Sequence, residues 1–166
     1  LVTACFFCSS LEAAAAPRAQ ETGERVTIVI DPGHGGENEG TLEGIVQEKK
    51  MTMVTAMAMY EELLKYDNVD VYLTHTEDVN LSLADRAQFA AERNADFLFS
   101  IHYNASVDHD LFGSEVWISS VQPYNAYGYQ FGWEQMQQMK DMGLFLRGVK
   151  TKLKNNGDDY YGIIRE

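Results

Sequence analysis

The sequence is nearly without cysteine. Cys5 and Cys8 are the two that it has, and both lie close to the start of the chain. The remainder, from residue 9 onward, therefore has neither a disulfide framework nor a thiolate metal site.

Basic residues and long hydrophobic runs are also scarce. The chain has 13 Lys and Arg against 25 Asp and Glu, and its formal net charge is −12. Binding to a phosphate backbone depends on clustered Lys and Arg, and no such cluster is present in the sequence. No stretch approaches the ~20 apolar residues of a transmembrane helix. We therefore expect neither a nucleic-acid partner nor a transmembrane segment.

Residues 1–20 differ from the rest, because a short apolar stretch is followed by an alanine-rich segment. This composition is typical of the second half of a secretory signal peptide, with cleavage near Ala16. No Met or basic region precedes it, so we expect that the chain begins inside its own signal. A rival interpretation takes Val2 to Cys5 as a lipid-attachment box, but lipid anchoring at Cys5 is less favoured because such short patterns occur by chance. Residues 21–25 are interpreted as a polar linker.

Residues 26–166 have the length of one domain and alternate between strand-like and helix-like segments. The predicted strands are 25–30, 69–74, 95–102, 114–120 and 160–164, the predicted helices are 48–66, 82–94 and 132–154, and 121–133 is predicted to be a surface loop. Strands that alternate with helices indicate an α/β fold of three layers: a mainly parallel twisted sheet with helices on both faces.

Three details support these boundaries. Asp31-Pro32 ends the first strand, and Ser82 and Asp85 have the spacing of a capping box before the second helix. Apolar residues at helical spacing predict the buried faces of the first and last helices: Met51, Val54, Met57, Ala58 and Leu64 in the first, and Met136, Met139, Leu144, Leu146 and Leu153 in the last.

Three side chains are expected to meet at one edge of this sheet. His34 follows the first strand in the glycine-rich loop "GHGG", His102 ends the third strand, and Glu48 begins the first helix. Functional groups in such sheets gather at the carboxyl ends of the strands. Two imidazoles and one carboxylate are the ligand set of a catalytic zinc ion, which leaves a fourth position for water.

The spacing of these residues leaves ordinary alternatives open. Separations of 14 and 54 residues form no local ligand motif. A histidine is commonly a surface or core residue without a metal, and Glu48 can simply be a favourable charge at a helix N-terminus. A phosphate-binding loop is not supported, since "GHGGENEG" matches neither common glycine pattern.

A series of motifs resembles a known family. "IDPGHGG" (30–36), "QEKKMTM" (47–53), "VYLTHTED" (71–78), "ADRAQFAA" (84–91) and "ADFLFSIHYNAS" (95–106) are similar, in order and spacing, to the zinc-dependent N-acetylmuramoyl-L-alanine amidases of the amidase type 3 family. "GSEVWIS" (113–119) and "RGVK" (147–150) extend the resemblance over about residues 26–166.

The resemblance implies a function and a site. His34, Glu48 and His102 would bind Zn²⁺, and the substrate would be the amide between the lactyl group of N-acetylmuramic acid and L-alanine in peptidoglycan. It implies a bacterial protein, secreted, periplasmic or associated with the cell wall, which we expect to be a monomer. The family's catalytic glutamate corresponds to a position beyond Glu166, so it is expected outside this chain together with the last strand and helix.

Four further residues have two interpretations each. Asp31 is either a hydrogen-bond partner of a ligand imidazole or a turn former, and Asn104 either orients a ligand or contacts substrate, or caps a turn. Arg86 matches a family arginine, or only pairs with Asp85 or Glu77. His75 stands where the family usually has arginine, and we predict a solvated loop residue rather than a third imidazole ligand.

The remaining candidates are predicted to be ordinary surface or packing residues. Carboxylates near the glycine loop can in principle shuttle protons but are predicted to be solvated: Glu37, Glu39 and Glu43. His109 is predicted to be exposed. Aromatic residues that either stack on sugar or pack internally are Trp117, Trp133 and the tyrosines of 124–129.

Two other functions remain possible from the sequence. One is a zinc-containing wall-binding or regulatory module without turnover, and the other is a zinc peptidase that acts on a different amide.

Overall fold

The computed structural model describes residues 2–3, 25–43, 45–106, 108, 110 and 112–166. Its strands are β1 (Val2–Thr3), β2 (Val26–Pro32), β3 (Leu42–Glu43), β4 (Val46–Gln47), β5 (Val69–Leu73), β6 (Phe97–Tyr103), β7 (Ser114–Trp117) and β8 (Leu146–Lys150), and its helices are α1 (Glu48–Leu63), α2 (Leu83–Glu92), α3 (Tyr124–Asp141) and α4 (Gly162–Arg165). The predicted signal segment and linker lie outside the described residues, except for Val2, Thr3 and Arg25.

The main sheet has the strand order β1-β6-β2-β5, and β2 runs parallel to both β5 and β6. Ile30 pairs with Leu73 on one side and with Phe99 on the other, so the carboxyl ends of all three strands reach the same edge. β1 pairs antiparallel with β6, while β7 and β8 form a separate parallel pair. The sequence-based prediction of an α/β fold is confirmed.

Helices cover both faces of the main sheet. The α1 residues Ala56, Met59 and Leu63 pack with Ile30 and Ile101 in the buried core on one face. On the opposite face, Arg86 of α2 reaches Asp31, and Arg93, which follows α2, lies over the ring of Tyr72. The helix α2 begins as predicted, with a complete capping box between Ser82 and Asp85. None of the helices in the described part of the chain has the length and apolar character needed to span a bilayer.

The predicted buried face of the first helix is partly wrong. Val54 is 70% exposed and Leu64 is 58% exposed, whereas Thr52 and Thr55 are buried. Thr52 donates a hydrogen bond to the carbonyl of Gly33, and the Thr55 hydroxyl bonds to that of Tyr103. Because their hydroxyls are hydrogen-bonded, Thr52 and Thr55 can be buried on this face of α1, where a prediction based on hydropathy places only apolar residues.

The predicted helix at 132–154 and the predicted loop at 121–133 are partly wrong in their bounds, although Met136 and Met139 are buried in a helix as predicted. The helix α3 begins at Tyr124 and ends at Asp141, after which Gly143 has a φ of 81° and the chain continues into β8. A glycine in this left-handed conformation commonly ends a helix. Gly132 lies inside α3, where a Cβ would come within 3.1 Å of the Val116 side chain. The absence of a side chain at this position avoids that close contact. Gly132, which lies in the segment predicted to be a loop, therefore permits close packing of α3 against the β7–β8 pair.

The segment predicted as a last strand, 160–164, forms the short helix α4 instead. A short apolar run has no periodicity that distinguishes a strand from a buried helical turn. The backbone N–H groups of Ile164 and Arg165 bond to the carbonyl of Tyr161, which closes the helical turn.

Candidate functional site

The register of the main sheet brings the glycine loop beside His102. Pro32 at the end of β2 pairs with Ile101, and the N–H of Gly33 donates to the Ile101 carbonyl at 3.0 Å. A Cβ on Gly33 would collide with the imidazole of His102. The absence of a side chain at Gly33 therefore lets β2 and β6 present His34 and His102 to each other.

Glu48 enters the same place from the start of α1, and both of its carboxylate oxygens are engaged. Oε2 lies 3.0 Å from Nε2 of His34, and Oε1 lies 3.0 Å from Nδ1 of His102. Backbone N–H groups of Thr41 and Tyr103 donate to Oε2 at 2.7 Å and to Oε1 at 2.8 Å. The side chain is only 2% exposed, so these contacts fix its position.

His34 has an unusual backbone conformation, with a φ of 70°. This left-handed region is uncommon for residues other than glycine and persists where the surrounding structure enforces it. Nδ1 of His34 lies 3.0 Å from Oδ1 of Asn38, an oxygen that can only accept, so Nδ1 carries a proton and Nε2 is the nitrogen that faces the cluster. Gly40 is also required, since a Cβ there would lie 2.6 Å from Oε2 of Glu48.

The electrostatics of the cluster favour a charged carboxylate. Burial opposes ionisation of Glu48, but hydrogen bonds from His102, His34 and the backbone of Thr41 and Tyr103 outweigh it and lower its pKa. The hydrogen bond with Glu48 raises the pKa of His34 against the opposing effect of burial. The site is therefore a buried anion with two imidazoles beside it.

The donor set fits a metal ion. One ligand atom from each of His34, Glu48 and His102 lies within 4.8 Å of the others, and Nδ1 of His102 is 3.2 Å from Nε2 of His34. Ligand atoms about 2.0–2.2 Å from a tetrahedral ion are about 3.3–3.6 Å apart, which is close to the distances in this cluster. The structure thus brings together the three predicted ligands, in a geometry that zinc can occupy.

Asp31 does not have the predicted role of a partner for a ligand imidazole. Its buried carboxylate accepts hydrogen bonds from Arg86 at 2.6 Å, Thr74 at 2.7 Å and Ser100 at 2.8 Å. Of the two interpretations of Arg86, the pairing with Asp85 or Glu77 is replaced by this contact with Asp31. Asp31 is buried within β2 rather than placed in a turn.

His75 is not the solvated residue that the sequence suggested. It is 9% exposed, and the hydroxyl of Thr74 lies 3.1 Å from its Nδ1. Burial and, secondly, the charge of Arg86 lower the pKa of His75 and favour its neutral form. It lies under the glycine loop, since a Cβ on Gly35 would be 3.5 Å from its Nε2. It is not one of the residues in the His34, Glu48 and His102 cluster.

The acidic residues of the loop have local roles. Glu37 is exposed, as predicted, and Glu39 accepts a hydrogen bond from Gln47 at 2.6 Å. The loop is also held by Asp78 and Lys49, which bond to the N–H and the carbonyl of Gly36 at 2.6 Å and 2.7 Å. The side chain of Glu43 and the whole of His109 lie outside the described residues.

Glu115 is a candidate residue that sequence reasoning missed. It is 4% exposed and accepts hydrogen bonds from Asn104 at 3.2 Å, Trp117 at 3.1 Å and Lys150 at 2.6 Å, with Arg147 at 3.3 Å. Burial opposes its ionisation, but the bonds and charges of these partners lower its pKa. A charged residue inside the strand-like run "SEVW" was the signal that could have identified it.

The aromatic candidates divide into two groups. Trp117 contacts Tyr161 with ring centroids 5.1 Å apart, next to Glu115. The second group is exposed on α3 rather than on a loop: Tyr124, Tyr127, Tyr129 and Trp133. Stacking on sugar and internal packing stay open as alternatives for these rings.

Solved structures share this fold, and one of them is the catalytic domain of an N-acetylmuramoyl-L-alanine amidase. The catalytic domain of the N-acetylmuramoyl-L-alanine amidase CwlV from Bacillus (Paenibacillus) polymyxa superposes with a TM-score of 0.72 at 25% identity, over 85% of this chain and 74% of that one. Cwp6 from Clostridium difficile superposes with a TM-score of 0.77 at 30% identity, over 87% of this chain and 23% of that one. The fold and site therefore define an amidase-type catalytic domain.

Sequence comparison defines the family. The family model of N-acetylmuramoyl-L-alanine amidases matches residues 28–163, and the chain belongs to that family. It is 46% identical over 81 residues to the N-acetylmuramoyl-L-alanine amidase CwlM of Bacillus licheniformis, an alignment that covers 48% of this chain. The chain spans about a third of the length of that relative.

Proposed function

We propose that this chain is the metal-binding part of a zinc-dependent hydrolase of peptidoglycan. Its reaction would be cleavage of the amide between the lactyl group of N-acetylmuramic acid and L-alanine. The observation that carries the proposal is the convergence of His34, Glu48 and His102 in a chain of the amidase family. Two histidines and one glutamate are a common protein ligand set of catalytic zinc.

The ion, when bound, supplies Lewis acidity, which polarises a carbonyl group and makes water more acidic at neutral pH. The chain's own residues set the conditions for this chemistry. Glu48 contributes the negative charge and, because both of its oxygens are engaged, it is a ligand rather than a proton shuttle. Asn38 fixes the proton of His34 on Nδ1 and leaves Nε2 available to the ion.

Asn104 is proposed to contact the substrate beside this site. It follows His102 by two residues, its side chain is exposed, and its Nδ2 donates to the buried carboxylate of Glu115. Since Glu115 can accept only from the amide nitrogen, the carbonyl oxygen of Asn104 is oriented away from it. That oxygen can accept an N–H from the peptide part of a muramoyl-peptide.

Access to peptidoglycan requires a location outside the cytoplasm. The apolar and alanine-rich composition of residues 1–20 supports export to the periplasm or the cell wall. Lipid attachment at Cys5 is the less favoured alternative, and recovery of the exported protein with membranes, lost in Cys5→Ala, would favour it.

Product analysis tests the proposed reaction. The full chain is incubated with purified peptidoglycan after removal of metal and again after addition of Zn²⁺, and soluble products are identified by mass spectrometry. Release of stem peptides with free N-terminal L-alanine, dependent on Zn²⁺, would identify the proposed amide as the bond that is cleaved, and its rate is expected to be low because the family's catalytic glutamate is expected outside this chain. Zinc-dependent cleavage within the stem peptide would favour the zinc peptidase. Co-sedimentation with peptidoglycan and no release of products would favour the wall-binding module.

A pair of histidine variants adds the control for metal. His102→Ala should lose bound zinc after dialysis, and His109→Ala should retain it. Equal retention of zinc by both variants would contradict the assignment of the ligands.

A further inference from the structure

The main chain that carries His34 is held by one buried guanidinium. Nη1 of Arg86 donates to the carbonyl of Pro32 at 2.7 Å, and Nη2 donates to the carbonyl of His34 at 2.8 Å. The two carbonyls flank Gly33, so a single side chain bridges the turn that leads into the loop. Arg86 is 3% exposed and comes from α2, on the opposite face of the sheet from α1.

The position of this guanidinium is itself fixed by three strands. Nη1 also donates to Oδ1 of Asp31 in β2, and Nε donates to the carbonyl of Leu81. The other hydrogen bonds of Asp31 come from Thr74, which follows β5, and from Ser100 in β6. A buried ion pair needs such complete hydrogen bonding to offset the cost of its desolvation. The carboxylate of Asp31 thus fixes the position of the Arg86 guanidinium, and Arg86 in turn fixes the carbonyls of Pro32 and His34 in the glycine loop.

The geometry of the side chain matters here as well as its charge. A guanidinium is planar and has donors at fixed angles, so it can serve two carbonyls and a carboxylate together. A lysine ammonium is a single point on a flexible stem and cannot span both carbonyls in the same way. His34 meanwhile has a φ of 70°, a conformation that an unconstrained histidine rarely adopts.

We infer that Arg86 is a positioning residue for the metal ligand His34: it holds the His34 main chain in the left-handed conformation that directs Nε2 toward Glu48 and His102. The inference rests on the proposed zinc site. Its consequence is that the guanidinium contributes to metal affinity although it contacts no ligand side chain. Loss of a supporting partner of this kind lowers metal affinity by about 10–100-fold.

The test compares two arginines of the same helical region. Arg86→Lys keeps the charge and removes the planar set of donors, and Arg93→Lys is the matched control. Arg93 follows α2, donates to the carbonyl of Phe89 and lies over the rings of Phe89 and Tyr72, away from the glycine loop. The affinity of each full-chain variant for Zn²⁺ is measured by competition with a chromophoric chelator, and the fold of the metal-free protein by circular dichroism.

The expected result is a zinc affinity about 10–100-fold weaker in Arg86→Lys, and unchanged in Arg93→Lys, with native circular dichroism spectra in both. The visible spectrum of bound Co²⁺ should also change in Arg86→Lys alone, because its intensity follows the coordination geometry. Wild-type affinity and an unchanged Co²⁺ spectrum in Arg86→Lys would overturn the inference. A folded wild-type chain that binds no zinc would instead contradict the proposed metal site.

A milder variant covers the case in which Arg86→Lys does not fold. Ser100→Ala removes one hydrogen bond to Asp31 and leaves the guanidinium in place. We expect this variant to bind zinc about threefold more weakly than the wild type, because the support of Arg86 is loosened. An unchanged zinc affinity in folded Ser100→Ala would then contradict the inference.

Discussion

Two buried glutamates in this molecule have opposite surroundings. Glu48 and Glu115 are 2% and 4% exposed, and the pKa of each is lowered. Glu115 is neutralised by the fixed positive charges of Lys150 and Arg147. The ion-pair partners of Glu48, within the described part of the chain, are two imidazoles. The negative charge of Glu115 is therefore balanced by cations of the chain itself. Glu48 and its two imidazoles instead form a ligand set for a cation that comes from outside the chain.

The same substitution at both glutamates gives the largest expected contrast. Glu48→Gln should weaken zinc binding by at least about 100-fold, since loss of a ligand exceeds the effect of losing a supporting partner. Glu115→Gln should leave zinc affinity within a few-fold of the wild type. Zinc affinity is measured by chelator competition. If both variants lost zinc affinity to a similar extent, Glu48 would not be distinguished from Glu115 as a metal ligand.

The substitution at Glu115 should act on stability instead. Glu115→Gln leaves Lys150 and Arg147 without their carboxylate and should lower the free energy of unfolding by about 2 kcal/mol, less than for a fully buried pair because both cations are partly exposed. Urea unfolding of the metal-free protein measures this change. Glu92→Gln, at an exposed position on α2, is the control and should unfold like the wild type. If Glu115→Gln had the urea midpoint of the wild type, the ion pairs of Glu115 with Lys150 and Arg147 would add no stability.

Acid should remove the stabilisation that Glu115 provides. Its pKa in the folded protein is below the ordinary value of 4.5, so the folded state favours the charged carboxylate. The stabilisation is present above about pH 4.5 and is lost as the pH falls through the folded-state pKa. The difference in unfolding free energy between wild type and Glu115→Gln should therefore shrink on acidification. If the difference in unfolding free energy instead grew below pH 4.5, it would contradict the lowered pKa of Glu115 in the folded protein.

The partners of Glu48 could be predicted from the sequence, whereas those of Glu115 could not. His34, His102 and Glu48 each lie at the end or start of a clearly patterned element, and parallel strands bring such ends to one edge. Glu115 could not be interpreted in this way, because its partner Lys150 lies on a segment that was predicted to be helix and forms β8. The contact between Arg86 and Asp31 depends on how α2 packs across the sheet, which local sequence does not specify.

The smallest expected effect concerns the support of His34 from within the loop. Asn38→Ala removes the oxygen that holds the Nδ1 proton of His34 and should weaken zinc binding by about tenfold, the lower end of such effects because Asn38 is exposed. Asn156→Ala, in an exposed turn near the C-terminal end, is the matched control. Equal zinc affinities of the two variants in chelator competition would indicate that the His34 tautomer needs no support from Asn38.

The most direct test of the metal site is the zinc stoichiometry of the full chain by native mass spectrometry, with His34→Ala beside it and circular dichroism on both samples. We expect one zinc ion per wild-type chain and none in a folded His34→Ala variant. A folded wild-type chain without zinc, or a His34→Ala variant that keeps its zinc, would contradict the claim that the surroundings of Glu48 are built for a metal.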